Sequence, residues 1–249
     1  MTHSAAEAGG QGKSRKELLG SRTWPPGSLM ASMSEPGREA LLELGTLGQH
    51  ESGARLITEG DHSTHLYLLI DGCVKVTAVN ADGHVALLAV RVAGDLVGEL
   101  SSLDGHPRSA TVTAAGHLVT CKISQAEFRQ FMLKHPATGL TVGSSVSSKL
   151  RSATQRWVDF NGRDARVRLA RVLVDLAGSY GRRVATGIEI GISLTQPELA
   201  GLIGAGEPTV HKALADLRRS GVMDTGYRKM VIRDLRTLEK ISGLGSANP

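Results

Sequence analysis

Between residues 47 and 123 apolar and polar residues alternate, and the alternation is broken every few residues by Gly or Asp. The alternating runs are 54–57, 65–70, 74–79, 86–92, 110–113 and 118–123. Between them lie Glu59-Gly60-Asp61, Asp71-Gly72, Asn80-Ala81-Asp82-Gly83 and Ala93-Gly94-Asp95. A period of two sends successive side chains to opposite faces of a strand, so each run offers one face to a core. Gly and Asp supply the tight turns that join neighbouring strands. Short strands joined in this way predict an antiparallel sandwich or barrel.

Outside that stretch the period changes. Ser124 followed by Glu127 is a capping box, which predicts a helix to about Lys134. Pro136 restarts the chain, and a long helix is expected to about Phe160. Along it Val146, Leu150, Ala153, Trp157 and Phe160 recur at alternating spacings of four and three. That is a heptad seam, expected where two copies of one helix pack together. Asn161-Gly162 is the expected break and hinge. At the other end, residues 1–28 are rich in Gly, Ser, Ala and charge, and read as a disordered arm. Ser34 and Pro36 open a short helix that stops at Gly45.

Composition narrows the function classes. At 249 residues the chain suits one large or two modest domains. No apolar run approaches the ~20 residues of a membrane span, and Met1 to Gly20 lack the apolar centre of a secretory signal. A cytoplasmic protein with no membrane partner is expected. Cys73 and Cys121 are too few for a disulfide framework or an iron–sulfur cluster, and are expected as buried thiols. Residues 1–159 hold 15 Lys and Arg against 15 Asp and Glu, whereas residues 160–249 hold 14 against 9. A neutral body with a basic last third suits a polyanionic partner for that third. Asp61-His62-x-x-His65 lies at a turn with no Cys or Glu spaced to complete a metal site, so no metal is expected. There is no strained-elbow Ser motif, phosphate-cradling Gly-rich loop or apolar carboxylate pair, and neither enzymatic activity nor a cofactor is expected.

One stretch carries recognisable binding chemistry. Gly98-Glu99-Leu100 is followed by Asp104-Gly105 and then Pro107-Arg108-Ser109-Ala110-Thr111-Val112. A bend that brings Glu99 beside Arg108 and Ser109 can hold a small anion that also carries hydroxyls. The guanidinium and free backbone N–H groups take the anion, and the carboxylate accepts from a hydroxyl. A sugar phosphate fits that description. The whole string closely resembles the phosphate-binding cassette of the CRP/FNR family of cyclic-nucleotide-responsive transcription regulators. Leu68 to Val76, centred on Asp71-Gly72, resembles the family's central β-roll hairpin.

The last third adds a second signature. Residues 166–177 are amphipathic, with Val167, Leu169, Ala170, Leu173, Val174 and Ala177 on one side. Thr195 caps a helix with Pro197 in its first turn, Gly204 supports a tight turn, and a second helix follows from about Glu207. Two short helices joined at Gly make a helix-turn-helix. Residues 222–224 and 229–232 read as a hairpin, which makes it winged.

The resemblance implies an α+β fold: an N-terminal antiparallel β-roll of jelly-roll type, a long dimerisation helix and a C-terminal winged helix-turn-helix. The implied division is an arm at 1–28, a cyclic-nucleotide-binding β-roll at 29–135, a dimerisation helix and hinge at 136–161, and a DNA-binding domain at 162–249. It implies a homodimer on double-stranded DNA, RNA polymerase as a further partner, and a cyclic nucleotide, cyclic AMP above all, as allosteric ligand. Glu99 would take the ribose hydroxyl, Arg108 and Ser109 the cyclic phosphate, and Gly98 and Leu100 would shape the loop. In the family's cyclic-AMP binders a Thr-Ser pair on the dimer helix meets the adenine. The matching positions are Ala153 and Thr154, of which only Thr154 keeps a hydroxyl.

The recognition helix also departs from the family. Its usual Ser-Arg-Glu-Thr-Val, followed two residues later by Arg, is here Gly206-Glu207-Pro208-Thr209-Val210 and then Lys212. Glu207 can accept from cytosine but repels phosphate, and Lys212 lacks the planar fork of Arg. Thr195, Thr209, Lys212, Arg228 and Lys229 remain as phosphate contacts, with Glu207 at the base edges. The competing reading is a nucleotide-binding or protein-interaction module whose helix-turn-helix has lost specific DNA binding.

Overall fold

The structure, a computed structural model, describes residues 22–81, 83, 85–226 and 229–244. Two short helices, α1 (Leu29–Ser32) and α2 (Glu35–Leu42), precede the strands β1 (Thr46–His50), β2 (Arg55–Ile57), β3 (Leu66–Asp71), β4 (Cys73–Val79), β5 (Val85–Val92) and β6 (Leu96–Val97). Helix α3 (Glu99–Asp104), β7 (Thr111–Ala114) and β8 (Leu118–Ile123) complete the β-domain, and α4 (Gln125–Lys134) leads into the long α5 (Pro136–Gly162).

The strands form two antiparallel four-stranded sheets, in the orders β1-β8-β3-β6 and β2-β7-β4-β5. Ile57, Leu69, Val74, Val97, Val112 and Leu118 fill the space between them. The outer face of the first sheet is covered by Met30, Leu41, Phe128, Phe131 and Val142 from α1, α2, α4 and α5. β3 is therefore buried on both faces, which is why Leu66 to Ile70 is continuously apolar rather than alternating. Most strand bounds fall within a residue of the sequence expectation. Two strands, β1 and β6, have no separate counterpart in that expectation, and the bend at Glu99 proves to be a helical turn and a half.

Three expectations are corrected. The disordered arm lies outside the described residues up to Ser21, but its last part is anchored: Trp24 is buried in the helical layer and Ser28 is buried and caps α1. Cys121 is buried as expected, whereas Cys73 at the start of β4 is only half-buried. Burial still raises the pKa of the Cys73 thiol, with Lys75 acting in the opposite sense. The break at Asn161-Gly162 lies inside the last turn of α5; the chain turns extended one residue later, at Arg163.

The C-terminal unit runs α6 (Ala165–Tyr180), β9 (Gly181–Val184), β10 (Gly187–Ile190), α7 (Gln196–Ile203), α8 (Glu207–Arg219), β11 (Met223–Gly226), β12 (Lys229–Ile232) and α9 (Leu235–Ser242). Its sheet has the order β11-β12-β10-β9, so the expected wing is extended by a second hairpin. Its core, built on Leu169, Leu173, Leu199, Ile203, Val210 and Leu217, continues across the junction into Leu87, Val90 and Val92 of β5. Helix α7 approaches closely: a Cβ on Gly201 would stand 3.0 Å from the Leu87 backbone nitrogen.

Candidate functional site

The cassette is built by backbone geometry first. Gly98 sits in the left-handed region (φ 81°), and a Cβ there would lie 2.6 Å from Ile57 Cδ1 and 2.7 Å from Arg108 Nη1. Only Gly tolerates both demands. It starts α3, whose first residue is Glu99, and Gly105 ends that helix, again left-handed. The return strand brings Arg108 back beneath Gly98.

Glu99 and Arg108 are both buried. The Glu99 carboxylate accepts from Lys149 Nζ of α5 at 2.8 Å, and the same ammonium donates to the Leu96 carbonyl at 2.9 Å. Arg108 donates to the Gly98 carbonyl at 2.9 Å, to Ser63 Oγ at 3.2 Å and to the His65 carbonyl. Burial lowers its pKa, with Tyr67, Asp61 and Glu99 opposing. A guanidinium has five N–H donors, so two remain for a ligand. His65, beside it, is held neutral: burial first, then Lys122 and Arg108, lower its pKa to about 4. Among the described residues no three His, Cys, Asp or Glu side chains converge as a metal site would require.

A cavity of about 420 Å³ opens above the cassette. Gly98, Glu99, Leu100, Arg108 and Ser109 line its floor; Val146, Lys149, Leu150, Ala153 and Arg156 of α5 line the facing wall, with Leu88 and Arg91 of β5 at one end. A second cavity of about 660 Å³ adjoins it between α5, β5 and α6, and shares Ala89, Arg91, Lys149 and Arg156.

The C-terminal unit presents the two helices the sequence predicts. Thr195 caps α7 in a capping box with Glu198. Gly204 turns left-handed and lies so close to the Phe160 ring that a Cβ would stand 2.6 Å from it. On α8, Val210, Ala213, Leu214 and Leu217 face inward, while Glu207, Thr209, His211 and Lys212 are exposed. The Lys229 ammonium lies 2.8 Å from Glu189, and Arg228 lies outside the described residues.

Residues 48–135 match the family model of the cyclic nucleotide-binding domain, and residues 167–241 that of the Crp-like helix-turn-helix domain. Together they span most of the chain, in the order and at the positions the two sites require. The chain belongs to the CRP/FNR family. It is a cyclic-nucleotide-binding transcription regulator, from a family of regulators rather than enzymes.

Relatives within the family respond to different signals. The chain is 28% identical over 188 residues to the CRP-like cAMP-activated global transcriptional regulator of Mycobacterium tuberculosis strain H37Rv, covering 76% of this chain and 84% of that one. It is equally similar, 28% over 188 residues, to the anaerobic regulatory protein of Bacillus subtilis strain 168, covering 74% and 78%. A solved CRP-family regulator from Thermus thermophilus superposes with a TM-score of 0.65 at 26% identity, covering 79% of this chain and 96% of that one.

Within this CRP/FNR chain the structure brings Gly98, Glu99, Leu100, Arg108 and Ser109 to one cavity. Thr154 is exposed and does not line the cavity, whereas its neighbour Ala153 does. Sequence reading missed Lys149 and Arg156. They lie four before and three after Ala153, on the same helix face, so helical spacing from Ala153 would have found both. No helix among the described residues is long and apolar enough to cross a membrane.

Proposed function

We propose that the protein is a homodimeric regulator that binds double-stranded DNA under the control of a cyclic nucleotide held between the cassette and α5. In this reading Glu99 accepts from the ribose hydroxyl, Arg108 and Ser109 receive the cyclic phosphate, and Gly98 and Leu100 shape the loop. The observation that carries it is the double use of α5. Leu150 and Ala153 line the cavity, while Leu150, Trp157 and Phe160 are also 67%, 69% and 49% exposed along the heptad seam. A ligand that moves this helix moves a two-fold seam with it. Thr154 would then meet ligand only across that seam. The cytoplasm as location follows from the DNA target, and contact with RNA polymerase is inherited from the family resemblance. Cyclic AMP is the signal named for the M. tuberculosis relative.

Coupling to DNA runs through contacts between the two units. Lys75 of β4 pairs with Glu198, the capping-box residue of α7. Tyr180 donates to the Val90 carbonyl at 3.2 Å, and the buried Asp159 of α5 holds Arg171 of α6 at 2.6 Å. The first of these holds the capped end of α7, where Thr195 would meet phosphate. Lys75→Ala should therefore raise ligand-free DNA affinity several-fold. Unchanged ligand-free binding in a fluorescence-anisotropy titration would show that the pair restrains nothing.

On DNA, Thr195, Thr209, Lys212, Arg228 and Lys229 are the phosphate contacts, Lys229 by exchanging Glu189 for a phosphate. Glu207 stands exposed at the start of α8, the end of a recognition helix that meets base edges. Glu207→Arg should raise non-specific affinity and shift preference to guanine at one base pair per half-site, by about 1–3 kcal/mol. Selection from random duplexes with both proteins is the test of function. An enriched, nucleotide-dependent motif with the wild type supports the regulator. No motif with either protein favours a nucleotide-binding or protein-interaction module with degenerate DNA binding, which the Glu207-Pro208 start of α8 suits.

A further inference from the structure

The polar groups on the wall of the cavity that faces the cassette, Lys149 and Arg156, are both donors. Lys149, Ala153 and Arg156 share one face of α5. The Lys149 ammonium is committed to Glu99 and the Leu96 carbonyl. Ala153 offers only a methyl group. Arg156 is half-buried, and no hydrogen bond or ion pair within 4.0 Å ties its guanidinium to another described residue. It is desolvated, and Arg91 across the cavity adds a like charge, while Asp175 and Tyr180 of α6 act on it only through space. Arg91 donates to its own neighbour, the Val90 carbonyl, at 3.1 Å, and hydrogen-bonds the Tyr180 side chain. The side-chain acceptors of the cavity, Glu99, Ser101 and Ser109, all lie on the cassette side.

Two facts turn this wall into a selector. A half-buried guanidinium with unfilled donors gains from any acceptor brought to it. It can donate but never accept. Seven residues at 1.5 Å each place Arg156 about 10 Å along the helix from Lys149, the reach of a nucleoside from its ribose hydroxyl to the far edge of its purine. The Hoogsteen edge of adenine presents one acceptor, N7, and one donor, the 6-amino group; that of guanine presents two acceptors, N7 and O6. Among the side chains of this wall an adenine amino group would meet no acceptor; the Asp175 carboxylate lines the adjoining cavity instead. A guanine edge would take the Arg156 guanidinium in bidentate fashion, with the Arg91 charge nearby to favour the same acceptors. Thr154, if a seam brought it near, would serve either purine, because a hydroxyl both donates and accepts.

We propose that Arg156 reads the base, so that the cavity prefers a cyclic purine nucleotide whose Hoogsteen edge carries only acceptors, with cyclic GMP as its type, over cyclic AMP. The inference rests on the cyclic-nucleotide reading of the cavity and goes beyond it to the base. It departs from the cyclic AMP expected from the family resemblance.

The test is calorimetric titration of the full chain with cyclic GMP, cyclic IMP and cyclic AMP. Cyclic IMP keeps O6 and N7 but has no 2-amino group, so it isolates the edge in question. The wild type should bind cyclic GMP and cyclic IMP about tenfold or more tightly than cyclic AMP, a tenfold ratio being about 1.4 kcal/mol. Arg156→Leu should bring the three affinities together chiefly by weakening the first two. Arg156→Lys keeps the charge without the fork and should reduce the ratio to a few-fold, which maintains the test should the Leu variant fold poorly. Cyclic AMP binding as tightly as cyclic GMP, or a ratio that survives both substitutions, overturns the role of Arg156 and leaves the cyclic-nucleotide reading standing. Failure of the wild type to bind any of the three at millimolar concentration overturns both.

Discussion

Arg108→Leu should unfold the protein at a temperature roughly 5–15 °C lower and remove most of its nucleotide affinity. The sequence alone gives Arg108 one role, receiving an anion. The structure gives it two, because the guanidinium is 3% exposed and already donates to the Gly98 and His65 carbonyls and to Ser63 Oγ. Leu keeps an apolar stem but is shorter and has no donors. It would leave two buried carbonyls without their partner at about 1–3 kcal/mol each, and for a chain of this length each kcal/mol is worth about 2–4 °C. The lost ligand contact adds a weakening of about 1.5–3 kcal/mol for a charge-assisted hydrogen bond. Arg108→Lys, which keeps the charge and can reach one carbonyl, should fall between. Thermal unfolding with and without nucleotide separates the two roles. An unchanged melting temperature would mean that the carbonyl contacts hold nothing, and a lowered one with intact affinity would move the phosphate elsewhere.

The cassette was legible in the sequence because it is local. Gly98, Glu99, Arg108 and Ser109 lie within a dozen positions, and their placement follows from two left-handed glycines and one strand return. The capping box at Ser124 and the cap at Thr195 were legible for the same reason, each closing over three residues. The opposite wall of the cavity was not. Lys149, the one lysine of α5, reaches Glu99 across fifty residues of chain, and only helical spacing counted from Ala153 would have placed it on the cavity face. The heptad spacing of Val146, Leu150, Ala153, Trp157 and Phe160 describes only one face of that helix, and Lys149 and Arg156 stand beside it on the face that lines the cavity.

The junction between the two units was equally hidden. The alternation in β5 marks a face for a core without saying which core; Leu87, Val90 and Val92 join that of the helix-turn-helix unit. Gly201 in α7 reads as a weak helix former, which argues against a helix there rather than for a contact. In the structure it is what lets α7 approach the backbone of β5. The hairpin of β9 and β10 escaped because both strands have only four residues: Arg182 and Arg183 are adjacent in β9, and the single alternation Ile188-Glu189-Ile190 in β10 is too short to stand out.

Leu150→Asp should convert the protein to a monomer and reduce DNA affinity by a hundredfold or more. Leu150, Trp157 and Phe160 are large, apolar and exposed on a helix whose other faces are occupied by the cavity and by α6. Trp157 and Phe160 stack on each other with ring centroids 6.4 Å apart, which extends the apolar strip to the end of the helix. A two-fold seam would set Leu150 opposite its own copy, so one substitution places two carboxylates in a desolvated interface, where unpaired charge is strongly disfavoured. The loss on DNA follows from valency. A dimer that engages two half-sites binds more tightly than one domain alone by a factor set by effective concentration, on the order of 10²–10⁴, and a monomer forfeits that factor with its α8 surface untouched. Light scattering should report twice the 26.3 kDa chain mass for the wild type and the single mass for the variant. A wild type that runs as a monomer at micromolar concentration would sink the seam. A monomeric variant that keeps full DNA affinity would show instead that the seam is real and that one helix-turn-helix suffices.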